Sequence, residues 1–294
     1  MSSSSQVSQR RVSPVSIAVG ILAAILFALL SAAGVYTDWL WFTQLGYASV
    51  FTTQIMGQVI AFSIGFAIMA TVVALGLMLA WRTRPIYLRM PEESPFQAYQ
   101  QLLEGLRKVV MLGVPALIGL GGGLVAAREW QTAALWLHGE DFGTTDAHFG
   151  FDVGFYVFDL PFLTFGVGFL SGAVFLAALI NLGVHVIYGG IRFNGRDISI
   201  SKPARIQLSL LVAVYLVLQG GSLWLDQYST VVTTGSLFTG VNYTDANAVI
   251  PGLQILALIS VAVAVTFLIT AFIARWRIAI ISTALMVASS LVLG

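Results

Sequence analysis

The run MGQVIAFSIGFAIMATVVALGLMLAW, residues 56–81, contains no charged side chain. A bilayer's hydrocarbon core of about 30 Å takes about 20 helical residues, and only helices or closed barrels satisfy a backbone there. The run is continuous and lacks the alternation of a barrel strand, so it reads as a membrane-spanning helix. Working outward, six further runs have the same character, giving spans at roughly 15–37, 56–81, 108–127, 162–191, 206–225, 252–274 and 278–294. The fourth is too long for an upright span and is expected to tilt or to project from the membrane.

Composition agrees with the runs. Of 294 residues 58% are hydrophobic and 9% charged, with a mean hydropathy of +0.90. Soluble domains carry about 25% charged residues, so lipid must be the main solvent. The chain has no cysteine, which excludes a disulfide framework, a thiol nucleophile and any Cys-based metal site. The net charge of +1 is uninformative; the distribution of charge is not.

Lysine and arginine concentrate in cytoplasmic loops. Arg10 and Arg11 precede the first span, and Arg82, Arg84, Arg89, Arg107 and Lys108 lie between the second and third. Arg192, Arg196, Lys202 and Arg205 lie between the fourth and fifth, and Arg275 and Arg277 between the sixth and seventh. Seven crossings put all of these on one side and leave Arg128 alone on the other, with nine of the 13 carboxylates. The expected fold is an all-α integral membrane protein of about seven transmembrane helices, with a cytoplasmic N-terminus and aromatic-rich extracytoplasmic loops. Localisation follows as multi-pass in the cell membrane.

Residues 1–14 read as a disordered, Ser-rich cytoplasmic tail, and residues 15–294 as a polytopic membrane domain. The first apolar run exceeds a signal-peptide core, so an uncleaved span is preferred despite Ser31-Ala32-Ala33-Gly34. The last residues, Ala288 to Gly294, stop inside a hydrophobic run. A terminal carboxylate there is expensive, so an extracytoplasmic domain is expected after 294.

The loops hold the candidate site residues. Tyr36 to Tyr47 is rich in aromatics, and a short helix there would put Trp39, Phe42 and Tyr47 near one face, as in an interfacial belt. The loop 82–107 suggests an amphipathic surface helix over Phe96–Leu106. In the third span Gly113, Gly119, Gly121, Gly122 and Gly123 favour close helix packing and Pro115 permits a kink; a phosphate cradle lacks its strand and Lys. From Phe149 to Val157 every second residue is apolar, which is strand spacing. Asn181 and His185 share a helical face, and an ionisable group inside a membrane is a functional candidate by default. A packing or interfacial role is the plainer one for His185, seven residues before Arg192 near the cytoplasmic interface. No metal or cofactor site is expected, since the outer carboxylates match no calcium loop.

Three outer blocks together carry a resemblance. Thr37-Asp38-Trp39-Leu40-Trp41-Phe42 through Thr53, Phe149 through Phe162 and Trp224 through Pro251 resemble the uncharacterised bacterial membrane-protein family numbered 0182 in the UPF series. The specific parts are Asp-x-Gly-Phe-Tyr-x-Phe-Asp-Leu-Pro, at Asp152 to Pro161, and Tyr-Thr-Asp-Ala-Asn-Ala, at Tyr243 to Ala248. The resemblance implies a large protein with seven N-terminal spans followed by an extracytoplasmic region. It brings no catalytic residues.

Three functions fit. The first is a non-enzymatic anchor and platform for an extracytoplasmic domain, docking it through Trp39, Trp41, Asp152, Tyr156, Asp159, Asp226, Tyr243 and Asp245. The second is a transporter or channel using the Gly-rich third span, Asn181, His185, Gln219 and Gln254. The third is an outer-interface enzyme using Asp38, Asp152, Asp159, Asp226 or Asp245, although no catalytic signature is present. The expected partners are the lipid bilayer and either the protein's own continuation or another envelope protein. Nucleic acid is disfavoured, because the basic residues follow the membrane rule and form no separate patch.

Overall fold

The computed structural model of the chain describes residues 14–84, 104–194, 197–234, 239–273 and 276–293. The N-terminal tail before Pro14, most of the expected surface helix at 96–106, and Arg89, Arg196 and Arg275 lie outside the described residues. Eight α-helices occur among the described residues: α1 (Pro14–Gln44), α2 (Ala48–Arg82), α3 (Arg107–Arg128), α4 (Trp130–Leu137), α5 (Leu160–Ile187), α6 (Lys202–Ser229), α7 (Ile250–Ile273) and α8 (Trp276–Leu293). Among the described residues five stretches are long and apolar enough to cross a membrane: Ala48–Arg82, Arg107–Arg128, Phe155–Ile187, Lys202–Ser229 and Asp245–Ile273. Leucines such as Leu112 and Leu117, 74% and 71% exposed, stand on the outside of these helices, the inverse of a water-soluble surface.

The chain forms two compact units, residues 1–56 and 57–294. In the first, α1 runs on through the aromatic stretch to Gln44, so Trp39 and Phe42 sit on the long helix itself and not on a separate short one. The Tyr47 amide then donates to the Phe42 carbonyl at 2.9 Å and α2 begins.

In the second unit α6 and α7 pack antiparallel and are tied at three levels. Arg205 Nε donates to the Ala271 carbonyl at 3.1 Å, Ser260 Oγ to the Leu216 carbonyl at 2.7 Å, and Gln254 Nε2 to Gln227 Oε1 at 2.8 Å. Arg205 and Gln227 are separated by about 33 Å of helix, close to the thickness of a bilayer core. Between the rungs lies a cluster of Ala213, Leu216, Val263 and Ala264. Apolar helices gain little from burial against each other in lipid, so polar rungs of this kind carry much of the specificity.

The glycines of α3 do what their size suggests. A Cβ at Gly119 would lie 2.9 Å from Ala70 Cβ, one at Gly122 2.7 Å from Met69 Cβ, and one at Gly123 2.7 Å from Phe62. These three form the stripe against α2, whereas a Cβ at Gly121 would meet nothing within 4 Å.

Two expectations are corrected. The stretch 149–157 is not a strand: a single bridge pairs Thr145 with Asp152, and the backbone turns helical from Val153. The cause is Asp152, whose carboxylate caps the next turn. The helix at the expected fourth span stops at Ile187 and not at 191, with Gly189 at φ 68°. Ile191–Asn194 (β1) then pairs antiparallel with Asp197–Ile200 (β2), placing Ile191 opposite Ile200.

Candidate functional site

The segment between α4 and α5 is organised by two aspartates. Asp146 accepts the amides of His148, Phe149 and Gly150 at 2.7, 2.8 and 3.0 Å and the Tyr156 hydroxyl at 2.8 Å. Burial pulls the Asp146 carboxyl upward, but these donors outweigh it and hold it below the ordinary carboxylate value. Asp152 accepts the Phe142 amide at 2.9 Å and the Gly154 amide at 2.7 Å, which likewise hold it below the ordinary value. Gly154 is required there, since a Cβ would lie 2.7 Å from the Glu140 carbonyl.

Both α5 and α7 are preceded by a single π-turn, Phe155–Asp159 and Asp245–Val249. In each the next amide, Leu160 or Ile250, reaches back five residues, to Phe155 or Asp245. A proline follows directly, Pro161 or Pro251. A proline ring clashes with the carbonyl four residues back, and the wider π-turn opens that space. The second turn carries a reciprocal cap: Asp245 N donates to Asn242 Oδ1 at 2.8 Å, and Asn242 N donates to Asp245 Oδ2 at 3.0 Å.

Aromatic rings close this end of the unit. Tyr228, at the end of α6, meets Phe149, Phe151 and Phe155 at centroid distances of 4.8, 5.5 and 5.6 Å. Trp136 of α4 stacks on Phe162 of α5 at 4.1 Å. The outward face keeps Phe142, Phe151, Trp224 and Tyr243, the last 85% exposed. Of the predicted docking residues, Trp39, Trp41 and Tyr243 are exposed, whereas Tyr156 is buried. Asp152 and Asp245 brace the loops, and Asp159 and Asp226 are half-buried. Among the described residues no three His, Asp or Glu side chains converge as a metal site would require.

A second constellation lies inside the helices. Gln207 Nε2 donates to the Gly76 carbonyl at 2.8 Å and to Asn181 Oδ1 at 2.6 Å, while Asn181 Nδ2 donates to the Ala177 carbonyl at 2.7 Å. A carbonyl can only accept, so the Gln207 amide has one allowed orientation and its Oε1 faces His185 Nε2 at 3.0 Å. His185 Nε2 therefore carries the proton, and Nδ1 is left buried without a hydrogen-bond partner among the described residues. Asn181 and His185 are both fully buried. Gly76 permits the contact, because a Cβ would lie 2.5 Å from Asn181 Nδ2. The other two predicted transport residues lie elsewhere: Gln219 donates to the Tyr215 hydroxyl at 2.7 Å, and Gln254 joins Gln227.

Sequence reading missed Asp146, Gln207 and Tyr228, the three hubs. Gln207 carried a signal as one of two amides in an apolar run, and Asp146 as an aspartate four residues before a glycine. Tyr228 had none, since its partners are about eighty residues away.

These features define a helical protein of long apolar helices, joined by polar rungs and glycine contacts, with carboxylate-braced aromatic loops at one end. The chain belongs to the family described as Uncharacterised protein family (UPF0182), whose model matches residues 15–294. It is 45% identical over 295 residues to a UPF0182 protein of Clavibacter sepedonicus, covering 100% of this chain and 30% of that protein. It is 41% identical over 287 residues to one from Leifsonia xyli subsp. xyli, covering 97% and 29%. A relative in Mycobacterium marinum is 40% identical over 280 residues, covering 95% and 28%. The chain thus spans about three tenths of the length of the curated relatives it matches. No solved structure matches it.

Proposed function

We propose that this chain is the membrane-embedded platform of a larger protein, with seven spans and a cytoplasmic N-terminus in the cell membrane. The braced aromatic loops carry the remaining, extracytoplasmic part. The observation behind this reading is the division of labour in the loops. Asp146, Asp152, Asn242 and Asp245 are spent on internal hydrogen bonds, while Phe142, Phe151, Trp224 and Tyr243 face outward. Relatives more than three times as long as this chain supply a candidate to cover that face. Asp159 and Asp226 extend the docking set in this reading, and Trp39 and Trp41 give the first compact unit exposed contact residues of its own. Rigid aromatics on a braced scaffold suit a docking surface, since they lose little entropy on contact.

A photo-crosslinking amino acid at Tyr243 or Phe151 of the full-length protein tests the reading. Crosslinks within the same polypeptide, to its portion outside these spans, are expected. Crosslinks to lipid alone would remove the platform role from these loops.

A further inference from the structure

We propose that the groove between α6, α7 and α8 binds one anionic phospholipid, its phosphate on Arg205 and an acyl chain along α8. The proposal rests on the reading that these helices cross a membrane. The groove holds about 720 Å³, within the range of pockets that take small ligands. Its lining is graded along the helices. Arg205, Ser209 and Thr270 lie toward the Lys- and Arg-bearing ends of α6 and α7, whereas Val212, Val287 and Leu291 line the inner part.

Among the described residues Arg205 has no counter-charge. Its Nε is committed to the Ala271 carbonyl, which fixes the guanidinium across the α6–α7 seam. Among the described residues its terminal nitrogens make no hydrogen bond, and no carboxylate lies within ion-pair distance. Ser209 lines the groove one turn further along α6 and brings a hydroxyl to the same side. A half-buried guanidinium among apolar helices is costly without an anion, and the positive end of the α6 dipole adds to the same demand.

The rest of the groove decides what kind of anion. A water-soluble phosphate would leave the Val212–Leu291 trough empty. An apolar helix from a partner would fill the trough but leave Arg205 unpaired. An anionic lipid satisfies both, and its geometry fits: Thr283 to Leu291 covers about 12 Å of α8, leading inward from the charged end. Basic pockets between membrane helices on the cytoplasmic side suit such headgroups. The neighbouring Ile281 and Leu285 are 68% and 66% exposed, so the groove opens toward the lipid-facing side of α8.

The test uses the protein purified from membranes and reconstituted in phosphatidylcholine vesicles with a trace of photo-crosslinkable phosphatidylglycerol or phosphatidylcholine. Peptides containing 283–291 are expected to be labelled about tenfold more by the anionic probe. Arg205→Gln should abolish that preference, and Arg205→Lys should retain most of it. Ala288→Phe, which keeps Arg205 but fills the trough, should abolish labelling and covers the case in which Arg205→Gln does not fold. Equal labelling by the two probes, or a preference that survives Arg205→Gln, overturns the proposal. Competition by glycerol phosphate overturns the lipid in favour of a soluble anion. Release of the protein from membranes by alkaline carbonate would sink the membrane reading itself, a result distinct from carbonate-resistant protein without lipid preference.

Discussion

Asp146 shows how one side chain can set a loop. Four donors converge on its carboxylate, three of them successive amides. Replacing it by alanine leaves those amides and the buried Tyr156 hydroxyl without an acceptor, at a cost of about 2 kcal/mol. The expected readout for Asp146→Ala is faster protease cleavage within 139–159 at neutral pH, with little change elsewhere. The acid dependence has a definite sign. The folded carboxyl sits below the ordinary value, so its stabilisation is fully present above the unfolded value of about 3.9. It is lost as pH falls through the lowered folded value. Protection of the loop should be flat from pH 7 to 5 and fall below about pH 4. In Asp146→Asn the fall should shrink, Asp152 supplying what remains; an unchanged acid transition would show that Asp146 is not its source.

At the scale of elements, what the sequence revealed depended on the range of the interactions. Long apolar runs are local, and each of the seven expected runs matches a helix described here to within four residues at one boundary or both. Contacts between helices are not local. The α3 glycines announced close packing, but only the fold separates Gly119, Gly122 and Gly123, which face α2, from Gly121, which does not. Gly122→Leu should therefore overpack the α2 contact and cost about 1–3 kcal/mol, read as a lower melting temperature in detergent. Gly121→Leu, one residue away, should be near neutral, and equal effects would refute the α2–α3 interface. The hairpin was legible and overlooked: Ile191, Phe193, Ile198 and Ile200 alternate on either side of a glycine in the sequence. The strand reading of 149–157 failed because aromatics filled both registers, and alternation then lost its meaning beside the Asp152 cap. Both π-turns announce themselves by an Asp or Asn cap nine residues before a proline, a signal that needs two loops compared before it can be recognised.

For the molecule as a whole, the distribution of charge and the direction of the helices make one joint prediction. The α6–α7 rungs run from Arg205 at one end to Gln227 at the other. The first end carries β1, β2 and the basic residues Arg192 and Lys202, and the second carries Asp226 and Asp245. The α2–α3 connection belongs with the basic end by the same measure, since Arg82, Arg84, Arg107 and Lys108 flank it, and the loop holding Asp146 and Asp152 belongs with the acidic end. Basic residues mark the cytoplasmic side. The chain has no cysteine, so single cysteines report position without a background in this part of the protein. A membrane-impermeant maleimide applied to intact cells should label Thr145→Cys and Tyr243→Cys and spare Gly105→Cys and Ser199→Cys until the cells are permeabilised. Labelling of the opposite pair would invert the orientation and move the aromatic loops into the cytoplasm. A mixed result within either pair would mean that one of the five long apolar stretches does not cross, and the platform would then have to be redrawn around the helices that do.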